Sequence, residues 1–353
     1  LFNRPFKKPK FYDFKHINLK ISNFNKFLIL FITILFGYLF YLPMPNIYDK
    51  LWVQQTVEKK LIEEFNVDFN LSSEISYVIL PSPHFLIKNA TVVDRQNSEI
   101  QKIAEIKRLK VFISQKNLFI KENLKINKVT VERANFLIKK DNISYITNFI
   151  NQKFSLKNLE IKKSNLFLKD SNDDTLLINK IDSAKVFYSA KKLQNIIILK
   201  GELFNIPFLL NLNNDLINNE IFINTESKKL KLKINNYLNK KNAIKKGSTE
   251  ISFLNTKLFH KYTIKDKNFK FKSQNSTLPN NIVNYNGQIN LEPFNFDLVI
   301  DIEKIDLLKI INKESIIMEL IKSEVFFNEN INLLISLKSQ IIQNHKILKN
   351  MLI

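Results

Sequence analysis

The chain contains no cysteine, and only four of its 353 residues are glycine. Without thiols it can form neither a disulfide nor a thiolate zinc site. Gly37, Gly201, Gly247 and Gly287 are too scattered to build a glycine-rich phosphate loop. Histidine is sparse as well. His16, His84, His260 and His345 never recur at the three- or four-residue spacing of a metal-binding helix, and no nucleophile elbow occurs. Asp170, Asp173 and Asp174 in KDSNDDT lack the glycine and closing glutamate of a calcium loop, so they read as a hairpin turn. His84 reads as a solvated turn residue. From these absences we expect no enzyme activity, no cofactor and no metal.

Arginine is nearly missing too, present only as Arg4, Arg95, Arg108 and Arg133, while Lys, Asn, Ile and Phe abound. That skew is what AT-rich codons produce. It weakens the case for nucleic acid that a net charge of +21 would otherwise make. It also means that lack of cysteine does not identify a compartment. The chain opens on Leu1 and ends in the apolar run KNMLI, the pattern expected of a fragment cut short at its C-terminal end or of a non-ATG start.

What is present in quantity is apolar: 45% hydrophobic and 12% aromatic residues, enough for a sizeable core. The longest such run, Phe27 to Ile47, holds no charge and is long enough to span a bilayer as a helix. It ends in Tyr-Leu-Pro-Met-Pro, without the small residues of a signal-peptidase site, so it reads as an uncleaved anchor. Residues 1–26 carry Arg4, Lys7, Lys8, Lys10, Lys15, Lys20 and Lys26 against the single acid Asp13. The positive-inside rule therefore keeps that tail in the cytoplasm and exports residues 48–353. Tyr38, Tyr41, Tyr48 and Trp52 fall where an outer interfacial aromatic belt would lie.

Beyond the anchor, Tyr48 to Phe65 reads as a helix with an imperfect stripe of Leu51, Val57, Leu61, Ile62 and Phe65. The period then changes to two. Leu124/Ile126, Val129/Val131, Leu159/Ile161, Leu166/Leu168, Leu230/Leu232/Ile234 and Phe269/Phe271 alternate with polar residues, which predicts strands with one apolar and one wet face. Ile143–Gln152 and Lys304–Ile311 read as short helices. GELFNIPF from Gly201 and GQINLEPF from Gly287 share the pattern G-[EQ]-[LI]-x-x-x-P-F, an internal echo that suits a repeated array of strands. Two prolines, Pro81 and Pro83, flank Ser82 between two apolar runs; lacking an N–H, they fit a structural turn at a sheet edge.

These residues resemble the AsmA-like family. The stretch YLPMPNIYDKLWVQQTVEKKLIEEFNVDFNLSSEISYVILPSPHFLIKNATVVD is similar to that family's start: an anchor helix, a short helix, a strand and an LPSP turn. LKINKVTVERANFLIKKDNISYITNF and LEIKKSNLFLKDSNDDTLLINKIDSAKVFYS resemble its later units, with Asn142 where the family often has glycine, so the likeness covers roughly residues 27–311. The resemblance implies a fold that is mainly β with short helices: one transmembrane helix, then an open, curved, groove-like antiparallel sheet. It further implies a periplasmic body on the inner membrane of a Gram-negative bacterium, conducting phospholipid along an apolar groove in outer-membrane biogenesis. The lipid-contacting residues would be Leu124, Ile126, Val129, Val131, Leu159, Ile161, Leu166, Leu168, Leu230, Leu232 and Ile234. Alternation by itself leaves open whether protein or lipid covers the apolar face. The alternatives are a non-transporting periplasmic scaffold that contacts outer-membrane assembly proteins and, less in keeping with the topology, a basic binder of nucleic acid or acidic lipid.

Overall fold

The computed structural model describes residues 22–94, 101–116, 118, 120–139, 143–169, 173–253, 256–266, 268–274, 276–278, 281–291, 294–306 and 332–343. The first element, α1 (Asn23–Tyr41), is apolar on all sides, and none of its residues is buried against the rest of the chain. With the following turn to Ile47 it is long and apolar enough to cross a membrane. Pro43 ends the helix, and a 3-10 turn at Met44–Ile47 leads into α2 (Lys50–Phe65). Asp49 caps α2, its Oδ1 accepting the Trp52 N–H at 2.8 Å, and Asn66 closes it in the left-handed region at φ 50°. Val53, Val57, Leu61 and Phe65, each four residues apart, form the buried stripe, whereas Leu51 and Ile62 face outward.

The rest of the described chain is a single open sheet built from eighteen strands. They are β1 (Asp68–Asn70), β2 (Ile75–Val78), β3 (His84–Asp94), β4 (Gln101–Ile113), β5 (Ile126–Lys139), β6 (Asn158–Lys169), β7 (Thr175–Ser189), β8 (Gln194–Leu203) and β9 (Ile206–Asp215). They continue as β10 (Glu220–Ser227), β11 (Leu232–Asn239), β12 (Lys245–Phe253), β13 (Thr256–Lys265), β14 (Asn268–Ser273), β15 (Ser276–Leu278), β16 (Asn281–Leu291), β17 (Phe294–Asp306) and β18 (Asn332–Gln343). β1 and β2 lie along one edge, both against β3. From β3 the strands pair in chain order, with β14 and β15 sharing the place between β13 and β16, and β18 is the last strand in the order among the described residues.

The mainly β architecture agrees with the alternation in the sequence, but the sheet is mixed rather than wholly antiparallel. β5 and β6 run parallel because the helix α3 (Ile143–Asn151) carries the chain back between them, and β17 and β18 are also parallel. Two further expectations are corrected. Lys304, Ile305 and Asp306 end strand β17, while the remainder of the helix expected at Lys304–Ile311 lies outside the described residues. Leu230 sits in the β10–β11 turn, where Lys231 takes a positive φ of 50°, so the alternation there begins at Leu232. The internal echo marks two hairpins, β8–β9 and β16–β17, but their turns fall at different distances from the glycine. Leu203 pairs Ile206 in one and Leu291 pairs Phe294 in the other, so the copies are not superposable units.

An aligned irregularity crosses five strands. The inward-facing series jumps by three from Ile87 to Ala90, Ile106 to Leu109, Val131 to Ala134, Ile161 to Ser164 and Ile181 to Ala184. Asn89, Arg133 and Lys163 take positive φ values of 55°, 56° and 49° at these points. Because each neighbour takes up its extra residue at the same level, register is kept across the crease until β8, which has none and where the pairing shifts between Ile181 and Ser183; separate shifts occur at Val92/Val93, Phe112/Ile113 and Leu168/Lys169. Bulges bend a strand and increase its twist, so this is a crease through the first half of the sheet. Ser164, buried on it, accepts the Ala134 N–H at 3.0 Å and donates to the Lys162 carbonyl at 2.9 Å.

The core lies between α2, α3 and the inner face of β1 to β8. α3 is fixed by two asparagines that are fully buried and cross-strand partners, Asn195 on β8 and Asn214 on β9. Asn195 donates to the Gln152 and Ile150 carbonyls at 2.7 and 3.3 Å and accepts the Phe154 N–H at 2.8 Å. Asn214 donates to the Ile150 carbonyl at 2.7 Å, and Lys240 joins its Oδ1 to that of Asn151.

Candidate functional site

The inner face changes character after β8. Under the helices it is packed protein, but Leu210, Ile223, Ile234, Leu238, Ile251 and Leu258 are only half-buried, and the packed core does not extend over them among the described residues. Cross-strand register makes them neighbours: Leu210 reaches Ile234 through Thr225, and Ile234 pairs Ile251, which pairs Leu258. The row through Leu238 continues over Gly247, Tyr262, Phe271, Gly287 and Leu298. Its glycines are needed for close approach. A Cβ on Gly247 would sit 2.2 Å from Cζ of Tyr262, and one on Gly287 would sit 2.5 Å from Cζ of Phe271. The opposite face carries polar pairs, with Asn224 donating to Asn235 at 2.6 Å and Gln288 to Asp297 at 2.9 Å, and also the Phe222–Tyr237 ring pair at 5.0 Å.

Between these two apolar rows runs a polar one: Asn236, Thr249, His260 and Ser273 on β11 to β14. Its groups satisfy one another. Thr249 and the Tyr262 hydroxyl donate to Asn236 Oδ1 at 2.8 and 2.9 Å, and His260 Nδ1 lies 2.9 Å from the Tyr285 hydroxyl. Burial holds the His260 imidazole below its ordinary pKa and raises the Tyr262 and Tyr285 hydroxyls.

Where α1 meets the sheet, tyrosines form a collar. Tyr38 donates to Gln115 Oε1 at 2.9 Å, Tyr41 donates to the Gln115 carbonyl and accepts the Leu118 N–H, both at 2.7 Å, and Tyr77 donates to the Leu42 carbonyl at 2.8 Å. Tyr48 donates to the Leu118 carbonyl and meets Trp52 edge-on at 5.6 Å. Desolvation, aided by the other phenols, pushes Tyr77 up to about 12. The aromatics at the end of the anchor therefore tie α1 to the β4–β5 connection instead of standing free.

Of the residues singled out from the sequence, Leu124, Ile126, Val129, Val131 and Leu159 are buried in the packed core, and Ile161 packs against it. Helices α2 and α3 belong to the same packed cluster, so these side chains contact protein in the structure. Leu166 and Leu168 are half-buried beyond the crease; Leu232 and Ile234 lie on the uncovered face; Leu230 borders it from the turn. Pro81-Ser82-Pro83 closes the β2–β3 hairpin at the sheet edge, with the Pro83 carbonyl accepting the Ile113 N–H at 3.1 Å. His84 is not solvated: it is 4% exposed, stacks on Phe112 at 4.8 Å and contacts the Ser82 carbonyl through Nδ1 at 2.8 Å. His16, His345, Asp170 and Asn142 lie outside the described residues. Asp173 sits in the β6–β7 turn with Lys139 at 2.6 Å, and no cluster of three metal-ligating side chains occurs among the described residues. No family model, curated protein or solved structure matches the chain significantly.

Proposed function

We propose that the chain is a membrane-anchored envelope protein whose uncovered sheet face carries phospholipid acyl chains between the inner and outer membranes of a Gram-negative bacterium. The supporting observation is the run of half-buried apolar side chains on the inner face of β9 to β17, interrupted by the buried Tyr262 and the small packed pair Val283–Ile302 and otherwise left uncovered where the helices end. An acyl chain in water costs about 0.8 kcal/mol per methylene. An apolar strip of protein removes that cost along the path without holding the lipid more tightly than a bilayer does. The basic tail and single apolar helix favour an inner-membrane anchor with the sheet in the periplasm, and the AsmA-like resemblance points the same way.

The test is photo-crosslinking in growing cells from Leu238, Ile251 or Leu258, with Lys233, Lys246 and Lys257 on the opposite face as controls. Phospholipid adducts should form at the first three at several times the control level; equal labelling on both faces refutes transport along this surface. A periplasmic reporter fused after residue 150 checks the topology independently, and cytoplasmic activity would reverse it. The scaffold reading has one observation in its favour. β18 pairs only with β17 among the described strands, and Leu334, Ile335, Ile341 and Ile342 on it are exposed, an edge suited to strand addition by a partner. In that case charged substitutions on the uncovered face would act only by unfolding the sheet.

A further inference from the structure

On the polar face, at the end of the sheet where α1 joins it, lies a cleft of about 760 Å³. Its rim is Pro81-Ser82-Pro83 on one side and Ser114-Gln115-Lys116 on the other. Gln115 is the residue that Tyr38 and Tyr41 hold, so the cleft opens beside the end of the membrane helix. Its floor is a patch of three adjacent strands. Thr130 stands in the middle, paired in register with Lys110 on β4 and Glu160 on β6.

Around Thr130 the charges are unbalanced toward the positive. Lys110 binds Glu132 at 2.7 Å, while Lys128 and Lys162 converge on the single carboxylate of Glu160 at 2.9 and 3.3 Å. Lys128 also sits 5.5 Å over the Phe112 ring, and Lys116 adds a fourth ammonium at the rim. Thr130 is 3% exposed, and its Oγ1 has no hydrogen-bond partner, an arrangement that costs stability unless a ligand uses the group. Thr130 lines the cleft. Each ammonium has three donors, so Lys128 and Lys162 can hold Glu160 and still donate to a second acceptor.

We propose that this cleft binds the phosphate of a phospholipid headgroup at the membrane surface, with Lys128, Lys162 and Lys110 as the cationic contacts and Thr130 as a neutral one. The inference rests on α1 as the membrane anchor but not on lipid movement along the apolar face. With α1 as the anchor, the cleft sits beside the helix end through Gln115, and it lies on the face opposite the uncovered apolar surface. Its role is to fix the sheet against the membrane and to hold a headgroup where the anchor ends.

The experiment uses the full chain in neutral maltoside micelles, titrated with dihexanoyl phosphatidylglycerol and read by native mass spectrometry. The short chains make headgroup binding separable from binding to the apolar face. The wild type should saturate, and Lys128→Ala/Lys162→Ala should weaken binding at least about tenfold. Thr130→Val should weaken it about threefold while raising the melting temperature, because it removes an unpartnered buried hydroxyl. Ile251→Glu on the apolar face should leave binding unchanged. Lys162→Ala alone serves if the double variant does not fold. Unchanged affinity in the lysine variants overturns the proposal, as does an equal loss in Ile251→Glu. Inorganic phosphate should compete only in large excess; competition at the lipid's own concentration would make free phosphate the ligand and overturn the headgroup assignment.

Discussion

The buried Asn195–Asn214 pair gives the sharpest test of how the covered part of the sheet is built. Replacing Asn195 with alanine removes one acceptor and two donors. The Ile150 carbonyl keeps its bond from Asn214, so the groups left without partners are the Phe154 N–H and the Gln152 carbonyl. A buried polar group stripped of its partner costs about 1–3 kcal/mol. Two of them set the expected loss at about 3 kcal/mol, which is large for a polar-to-alanine change. Asn195→Asp should cost at least as much. It keeps an acceptor for Phe154 but replaces both donors with a buried negative charge facing two carbonyls. The measurement is urea denaturation in maltoside micelles followed by the fluorescence of Trp52, the only tryptophan, whose ring packs against the core. The midpoint should fall by about 1 M, taking a slope of about 3 kcal/mol per molar. Asn284→Ala on an exposed position should shift stability by less than about 0.5 kcal/mol. A loss below about 1 kcal/mol for Asn195→Ala would refute the claim that these asparagines, rather than apolar contact alone, hold α3 on the sheet.

Other consequences can be checked in the same preparation. Gly247→Ala places a methyl where the Tyr262 ring lies and should cost about 1–3 kcal/mol, with the Tyr262 near-ultraviolet signal altered; an unaffected spectrum would contradict the close approach. Because burial depresses the His260 pKa, the unfolded chain takes up a proton that the folded chain resists. Stability is then unaffected above about pH 6.5 and declines as pH falls through that value toward the lower folded one. His260→Phe should flatten this acid-side decline in urea midpoints, and an identical slope would remove His260 as its source. Tyr41→Phe leaves the Leu118 N–H without its acceptor and should raise amide exchange at Leu118 by about tenfold; unchanged exchange would show that the collar is not closed through this hydroxyl.

The strands were legible because a strand with one wet face must alternate, and Leu159/Ile161 and Phe269/Phe271 do so. The crease was legible too, though only in hindsight. In LEIKKSNLFL the apolar residues switch from odd to even positions across Lys162-Lys163-Ser164, and a switch of phase within one strand is what a bulge produces. The parallel β5–β6 pair could have been read from the helix Ile143–Asn151 between two strands, since a helical crossover returns the chain in the same direction. Which alternating residues are covered was not legible. Val129 and Ile251 have the same neighbours in pattern, yet one lies beneath α2 and α3 and the other is uncovered. Cover depends on elements distant in sequence, and alternation is a local property. The cleft was missed for a related reason: Lys110, Thr130 and Glu160 come from three strands and meet only through register.

The polar row of Asn236, Thr249, His260 and Ser273 bears on how the uncovered face could work. In a protein core such a row would be a liability, since each group must find a partner inside the sheet, and here each does so through Tyr262, Tyr285 or its neighbour in the row. Rows of this kind run across the strands, along the direction in which successive strands add. A lipid moving along the sheet would keep its chains in the two apolar rows on either side, and the polar row would separate them. The separation also limits how freely the face can pack against another protein. A smooth apolar surface would favour any apolar partner, whereas a surface divided by satisfied polar groups gains little from burying the middle row. On the proposed lipid-carrying function, that division would suit mobile chains better than a fixed protein partner on this face.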